Sequence, residues 1–286
     1  MYAGANETAI TEGKRATPRA AEPPGIPPLT MRTISSGPVS SRVYSLDGPP
    51  DSRGPVFVLL HGIGASHRYY RRLQNVLANH GDVHAVDLPG FGATATPEQQ
   101  MPVPGYADII AGVLDTMGTG PVVAVGHSMG TQFVTELVLQ RPDLVSHVVL
   151  LGPVVNPERR TVFKQAMALG LNSLRESPQG NAIVFSDYIR SGLRWYLTEL
   201  RVMMSYPLED RLSHVTRPVL IIRGSRDPIA PRPWCQQLAS LPADGRFLEI
   251  AGQPHMVQHG APDRTAAGIL ALTGNQNTYP APAAAH

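Results

Sequence analysis

Cysteine is almost absent from this sequence, which has 286 residues and a single cysteine, Cys235. One cysteine cannot form a disulfide within the chain, so no internal cross-link supports the fold. This usage is typical of a reducing compartment, although it would also be tolerated outside the cell. Because Cys235 falls in a helical pattern with Leu238 and Leu241, we expect it to fill the core rather than to act as a reactive thiol.

Long apolar runs are also missing. The first residues include Glu7, Glu12, Lys14 and Arg15 but no apolar run of signal-peptide length. No later window approaches the roughly 20 apolar residues that a membrane-spanning helix needs. We therefore expect a cytoplasmic protein that does not insert stably into a membrane.

A strong excess of charge is the third feature that the sequence lacks. Charged residues make up 16% of the chain, hydrophobic residues make up 42%, and the formal net charge is +2. No basic stripe with interleaved aromatic residues is visible, so nucleic acid is not the expected partner. The composition is that of an ordinary soluble protein and leaves the oligomeric state open.

What the sequence does contain is organised around residues 120–131. Residues 122–125 are apolar on both faces, as in a strand buried in a parallel sheet, and helical spacing follows the next turn. Between them Gly126, Ser128 and Gly130 form the G-x-S-x-G pattern of a nucleophile elbow, in which the glycines permit a sharp turn that exposes the serine. The alternative is an ordinary strand–turn–helix connection whose glycines serve packing only.

The remaining chain alternates between predicted strands and helices. Residues 30–35 and 41–46 are short alternating stretches that indicate an antiparallel entry to a sheet. From residue 56 to residue 151, apolar strands alternate with helices, which predicts a mostly parallel sheet with helices on both faces. The fold class is therefore α/β. Further strand patterns occur at residues 219–222 and 247–250.

The alternation stops between the two halves of this predicted core. We expect residues 1–30 to be a disordered leader, residues 31–152 and 217–274 to form the core, and residues 275–286 to be a flexible tail. Residues 153–216 are predicted to form a helical insertion with two apolar stripes. The first stripe consists of Phe163, Met167, Leu171 and Leu174, and the second of Ile189, Leu193, Tyr196, Leu197, Leu200 and Met204. A lid over the site is the hypothesis, and a separate interaction module is the alternative.

Three further loops fall at the carboxyl edge of the predicted sheet, where ligands of open α/β sheets bind. The strand at residues 56–60 ends in His61-Gly62-Ile63-Gly64, which brings backbone N–H groups to this edge or is a plain glycine turn. Asp227 directly follows the strand at residues 219–222, and His255 follows the last strand. Asp87 lies in a rigid Pro/Gly loop, so we assign it to structure rather than chemistry.

These motifs together resemble an α/β-hydrolase with a helical cap, of the esterase and peroxidase-like subfamily. The resemblance covers roughly residues 31–273 and depends on His61-Gly62-x-Gly64, Asp87-x-Pro89-Gly90-x-Gly92, Gly126-His127-Ser128-Met129-Gly130, Gly224-x-x-Asp227 and His255. The order serine, aspartate, histidine along the chain is the one that this fold uses. The expected fold is thus a mostly parallel central sheet flanked by helices, with a helical cap insertion.

The chemistry of these residue types suggests a role for each. A serine hydroxyl needs a base to take its proton, so we expect Ser128 to be the nucleophile, His255 the base, and Asp227 the group that orients the imidazole. The N–H groups of Ile63 and Met129 are the candidate oxyanion hole. Tyr69, Trp195 and Met256 are candidate substrate-binding residues, although aromatic residues of this kind more often serve core packing.

These residues are compatible with several functions. The leading hypothesis is a hydrolase for a carboxylic ester or lactone of a small to medium apolar substrate. Cleavage of carbon–carbon bonds, perhydrolase or acyltransfer chemistry, and a ligand-binding receptor are the alternatives. No cofactor is expected. His259 has helical metal-ligand spacing from His255, but no further ligand cluster accompanies it, so no metal site is expected.

Overall fold

A computed structural model describes residues 28–50, 54–156 and 170–274, and the part of the chain within these ranges builds one eight-stranded sheet. The spatial order is β1-β2-β4-β3-β5-β6-β7-β8. The strands run as follows: β1 Thr30–Ser36, β2 Val39–Leu46, β3 Phe57–Leu60, β4 Val83–Asp87, β5 Val122–His127, β6 Val145–Leu151, β7 Val219–Gly224 and β8 Gly245–Ile250.

The strand directions follow from the lengths of the connections. A two-residue turn joins β1 to β2 as an antiparallel hairpin, and β2 also pairs antiparallel with β4. The other pairs are parallel, from β4 through β3, β5, β6 and β7 to β8. Because β3 lies between β4 and β5, the chain leaves the sheet in opposite lateral directions after β3 and after β5. Their carboxyl ends therefore flank a crevice, the usual ligand site of an open α/β sheet.

Helices cover both faces of the sheet. Their bounds in the described residues are α1 Arg71–Leu77, α2 Val103–Met117, α3 Gly130–Gln140, α4 Pro178–Ser191, α5 Leu193–Ser205, α6 Leu208–Leu212, α7 Arg232–Ala239, α8 Val257–Gly260 and α9 Pro262–Leu272. Successive residues of β3 point to opposite faces, and both faces are buried. Val58 and Leu60 join the apolar cluster that includes α2, α3 and α7, whereas Phe57 and Leu59 join the cluster with α1 and α9. The predicted fold class is confirmed.

The segment between β6 and β7 is helical in its described part but differs from the prediction in one respect. The apolar pattern of residues 189–204 predicted one continuous helix, whereas the chain breaks at Gly192, whose φ of 77° suits glycine. As a result Ile189 and Leu193 are exposed rather than part of a buried stripe. Phe163 and Met167 lie outside the described residues, as do residues 1–27 of the expected leader and the tail at 275–286.

Among the helices in the described ranges, none is long and apolar enough to span a membrane. The longest of them, α2, has 15 residues.

Candidate active site

Ser128 occupies the sharp turn between β5 and α3. Its φ is 56°, a strained value for a residue with a side chain, and its N–H donates to the carbonyl of Leu151 at 2.9 Å. A Cβ on Gly126 would lie 2.2 Å from the carbonyl oxygen of Gly130. A Cβ on Gly130 would lie equally close, 2.2 Å, to the carbonyl oxygen of Leu60. Only glycine fits at these two positions, so the local sequence forces the serine out of the sheet.

The loop after β3 passes directly beside this serine. A Cβ on Gly62 would lie 2.9 Å from the Cβ of Ser128. Ile63 lines the cavity into which Ser128 opens, and Met129 is the next residue after Ser128 and is fully buried. Within the described residues, neither the N–H of Ile63 nor that of Met129 donates to a protein acceptor. Both N–H groups therefore remain available to a ligand oxygen.

Asp227 and His255 meet at the same edge of the sheet. His255 Nδ1 lies 2.7 Å from Asp227 Oδ2, and Asp227 Oδ1 accepts the N–H groups of Ile229 and Ala230 at 2.7 and 3.1 Å. Because both carboxylate oxygens are bonded, the aspartate is held as an acceptor for the Nδ1 hydrogen. The remaining ring nitrogen, Nε2, is buried and has no hydrogen-bond partner among the described residues.

The electrostatics of His255 favour its protonated form. Burial alone would lower the pKa of this imidazole, but the charge of Asp227, the hydrogen bond to it and the charge of Glu176 outweigh burial, so the pKa is raised. A raised pKa makes Nε2 a stronger acceptor for a proton. Gly152 leaves room for the ring, since a Cβ there would lie 2.8 Å from both Cε1 and Nδ1.

A cavity of about 300 Å³ joins these groups. Ser128 and His255 both line it, and so do Tyr69 and Met256, two of the three predicted substrate-binding residues. Trp195 is elsewhere: it packs against Gly90, where a Cβ would lie 2.3 Å from its Nε1. The segment between β6 and β7 supplies about half of the lining, namely Val154, Asn172, Ser173, Glu176, Asn181, Val184, Tyr188, Tyr196, Leu197, Leu200 and Met203.

Comparison with known proteins identifies the fold family. The family model described as alpha/beta hydrolase fold matches residues 55–186. The solved structure of the enol-lactonase from Burkholderia xenovorans LB400 superposes with a TM-score of 0.73 at 18% identity, over 85% of this chain and 100% of that one. The chain has the α/β-hydrolase fold.

Several curated relatives of this chain carry hydrolase or esterase names. The (E)-2-((N-methylformamido)methylene)succinate hydrolase of Acinetobacter baylyi is 26% identical over 229 residues, which are 74% of this chain and 87% of the relative. The pimeloyl-acyl-carrier-protein methyl ester esterase of Vibrio vulnificus is 24% identical over 223 residues, 68% of this chain and 86% of the relative. The substrates in these names differ, so the substrate of this chain has to be argued from the site.

A chain of hydrogen bonds runs beneath the site from Gly62 to His255. Gly62 N–H donates to the hydroxyl of Tyr69 at 2.8 Å, and that hydroxyl lies 2.9 Å from His127 Nδ1. His127 Nε2 lies 3.3 Å from the carbonyl of His255. Burial, followed by the neighbouring His255, lowers the pKa of His127 well below its usual value, so the ring is neutral. The one consistent assignment is that Tyr69 donates to Nδ1 and that Nε2–H donates to His255.

His61 and Asp87 brace the loops rather than face the cavity. His61 Nε2 accepts the N–H of Leu88 at 3.2 Å, and its Nδ1 lies 2.8 Å from the carbonyl of Gly62. Asp87 accepts the N–H of His67 at 2.6 Å and lies against the backbone of Gly92. The α/β-hydrolase thus uses these two motif residues to tie the loops after β3 and β4 together.

Other reactive groups are sequestered. Cys235 is fully buried, and burial raises the pKa of its thiol far above the usual range. Over residues 28–50, 54–156 and 170–274, no group of three or more His, Cys, Asp or Glu side chains could hold a metal ion. Burial lowers the pKa of His259, whose Nε2 is unpartnered within those ranges.

Asn172 and Glu176 are site residues that sequence reasoning missed. Both line the cavity and both bind the backbone beside His255. No local pattern marks them, because their role depends on how the segment before α4 packs against the sheet edge.

Proposed function

We propose that this α/β-hydrolase cleaves a carboxylic ester or lactone of a small to medium, mostly apolar substrate through an acyl-enzyme on Ser128. The observation that carries the proposal is the state of His255. Its Nδ1 is held by Asp227 at 2.7 Å, while its Nε2 is buried, unpartnered in the described structure, and beside the cavity that Ser128 also lines. An imidazole held in this way is suited to take the proton of a serine hydroxyl.

The proposed reaction proceeds in two halves. Ser128 Oγ attacks the carbonyl carbon of the substrate as its proton passes to His255 Nε2, and the oxygen of the tetrahedral intermediate accepts the N–H groups of Ile63 and Met129. His255 then protonates the leaving alkoxide, and the acyl group stays on Ser128. Water attacks the acyl carbon with His255 again as base, which releases the acid and restores the serine. Each oxyanion donor is worth about 3 kcal/mol in sites of this kind.

The lining of the cavity supports a substrate without a carboxylate. Among the described lining residues none is Lys or Arg, and Glu176 is the one with a carboxylate side chain. The apolar part is formed largely by Val154, Val184, Leu197, Leu200 and Ile229. A substituted succinate, as in the name of the Acinetobacter baylyi relative, would bring negative charge to this lining without a described cation to pair it. We therefore propose an uncharged ester or lactone.

Residues 153–216 would act as a cap in this proposal. Their described part closes one side of the cavity, and Asp187, fully buried, ties α4 to the loop after β3 through Ser66 and Arg68 at 2.6 and 2.9 Å. A cap held in this way would limit bulk solvent in the cavity while the substrate and the attacking water still enter it.

A panel of substrates tests the proposal. We expect turnover of short p-nitrophenyl esters or of a simple lactone, and its complete loss in Ser128→Ala with the fold retained by circular dichroism. A vinylogous diketone in the same panel detects carbon–carbon hydrolysis. Preference for the diketone, or full ester activity of Ser128→Ala, would contradict the proposal. A tight complex with slow single turnover would support the receptor alternative instead.

A further inference from the structure

Two backbone N–H groups of the His255 loop are bound by side chains that do not belong to the sheet. The N–H of His255 donates to Asn172 Oδ1 at 3.1 Å, and the N–H of Met256 donates to Glu176 Oε1 at 2.8 Å. Asn172 Nδ2 also donates to Glu176 Oε1, at 3.2 Å. The first two bonds connect the segment before α4 to the main chain of the proposed general base and of the next residue, and the third joins the two side chains to each other.

The local backbone explains why these two side chains act together. The carbonyl of Asn172 accepts the N–H groups of both Arg175 and Glu176, at 2.8 and 3.0 Å. This single turn places residues four apart on the same side of the chain. Asn172 is 5% exposed and Glu176 is partly buried. Hydrogen bonds to a carboxylate in such surroundings are stronger than those between neutral groups.

The same segment packs closely on the residues after His255. A Cβ on Gly180, in the first turn of α4, would lie 2.7 Å from Cε of Met256. Arg72 bridges the two elements, since it donates to Gln179 Oε1 at 2.6 Å and to the carbonyl of His259 at 3.2 Å. A displacement of this part of the segment would therefore displace the His255 loop.

We propose that Asn172 and Glu176 are positioning residues, which fix the main chain of His255 and add a second negative charge to that of Asp227 behind the general base. This rests on the proposed function, in which His255 takes the proton of Ser128. The segment between β6 and β7 then does more than cover the cavity: it completes the catalytic geometry.

The charges around His255 give the proposal a measurable signature. The titratable groups that face His255 are Asp227 at 2.7 Å, His127 with ring centroids 4.6 Å apart, and Glu176. Glu176 contributes to raising the pKa of His255. Burial raises the pKa of Glu176 itself, as does the charge of Asp227, whereas the Met256 N–H, His255 and Asn172 lower it. Removal of the Glu176 charge should therefore lower the pKa of His255.

Three variants separate the effect of holding the His255 main chain in position from the effect of the Glu176 charge. Glu176→Gln keeps an oxygen acceptor for the Met256 N–H but removes the charge, Glu176→Ala removes both, and Asn172→Ala removes the bond to His255. Glu98→Gln, at an exposed position, is the charge-matched control. The readouts are the rate of Ser128 labelling by a fluorophosphonate from about pH 5 to about pH 9 and the titration of His255 by NMR.

The expected pattern is specific. In Glu176→Gln the pKa of His255 measured by NMR is lower than in the wild type, and the rise of the labelling rate with pH begins at lower pH. The maximal labelling rate at high pH stays within about threefold of the wild type. Asn172→Ala and Glu176→Ala lose tenfold to about a hundredfold of the plateau rate, because the imidazole is no longer held in line with the serine. Glu98→Gln behaves as wild type. An unmoved titration in Glu176→Gln, together with full rates in the alanine variants, would overturn the proposal.

The two proposals fail in different ways. If the wild type is not labelled at all, the proposed serine chemistry is wrong. The NMR titration of His255 in Glu176→Gln then still decides whether the Glu176 charge acts on His255, and the His255 resonances of Asn172→Ala decide whether its loop is held in place. If an alanine variant does not fold, Glu176→Gln decides the charge effect, and Asn172→Asp, which keeps an oxygen acceptor of the same size for the His255 N–H, replaces the alanine variant as the test of position. If Glu176→Gln is labelled at the normal rate with an unchanged pH profile, the proposed chemistry of Ser128 is supported and the proposed role of Glu176 is wrong.

Discussion

The hydroxyl of Tyr69 links two loops of the site, because it accepts the N–H of Gly62 at 2.8 Å and lies 2.9 Å from Nδ1 of His127. The first loop carries the proposed oxyanion donor Ile63, and His127 in turn bonds the carbonyl of His255. Burial raises the pKa of Tyr69 far above its usual value, so the phenol keeps its proton and can donate. Tyr69 therefore connects the oxyanion loop to the loop of the proposed base.

Loss of this hydroxyl should affect catalysis more than stability. In Tyr69→Phe we expect kcat to fall by about tenfold with a small change in KM, because the Gly62 loop loses the bond that fixes it beside Ser128. Tyr70→Phe is the matched control: Tyr70 is equally buried, but its hydroxyl donates to the carbonyl of Leu60 at 3.0 Å. Both variants should lose about 1 kcal/mol of unfolding free energy. Equal kcat values for the two variants would remove the proposed link.

The second prediction concerns the acid partner of His255. Asp227→Asn removes the charge and can present a donor to Nδ1, which would then hold the hydrogen on Nε2, the wrong tautomer for a base. We expect kcat for an ester substrate to fall by about ten-thousandfold, with recovery as the pH is raised. Asp108→Asn, on the exposed side of α2, is the control. Activity within tenfold of the wild type would show that another acid serves His255.

A buried carboxylate on α5, that of Glu199, provides a prediction about stability and pH. Glu199 is fully buried, neither of its carboxylate oxygens has a hydrogen-bond partner of good geometry in the described residues, and burial raises its pKa to about 7 against a smaller opposing effect of Tyr106. The folded state thus binds a proton that the unfolded state releases at lower pH. The contribution of Glu199 to the free energy of unfolding should therefore fall as the pH rises from about 4.5 to about 7 and then stay constant.

Glu199→Gln should abolish that dependence. Because the pKa rises from 4.5 to about 7, we expect the stability advantage of the variant over the wild type to be about 2 kcal/mol larger at about pH 8 than at about pH 5. Urea unfolding of both proteins at the two pH values measures it. An advantage that does not change with pH would mean that Glu199 titrates normally, through a partner absent from the described residues.

Local patterns in the sequence were sufficient for the framework of the protein. Apolar runs place the parallel strands, and Gly126 and Gly130 mark the turn because no other residue fits between crossing backbones. Residues that depend on the packing of the segment between β6 and β7 could not be found in this way. Trp195 was expected near the substrate but packs on Gly90, and Glu176 was not singled out at all. Spacing along a helix identifies a face but not the surface that it meets.

The last prediction concerns Gly152, where backbone conformation and side-chain space can be tested separately. Gly152 has a φ of 54°, and a Cβ there would lie 2.8 Å from the His255 ring. Gly118 has a φ of 65°, but a Cβ there would meet nothing within 4 Å. Alanine at either position should therefore cost about 1 kcal/mol of unfolding free energy through backbone strain.

The two variants should differ sharply in activity. In Gly152→Ala the new methyl group has to displace the imidazole from its position beside Asp227, so we expect kcat to fall by about a hundredfold or more. Gly118→Ala should keep the wild-type kcat despite the same kind of backbone strain, and it should lose less stability than Gly152→Ala, in which displacement of the ring adds to the loss. Ester turnover and thermal unfolding of the pair measure both quantities. If Gly152→Ala lost no more activity than Gly118→Ala, the imidazole would be free to move, and the fixed His255–Asp227 geometry could not be the basis of catalysis.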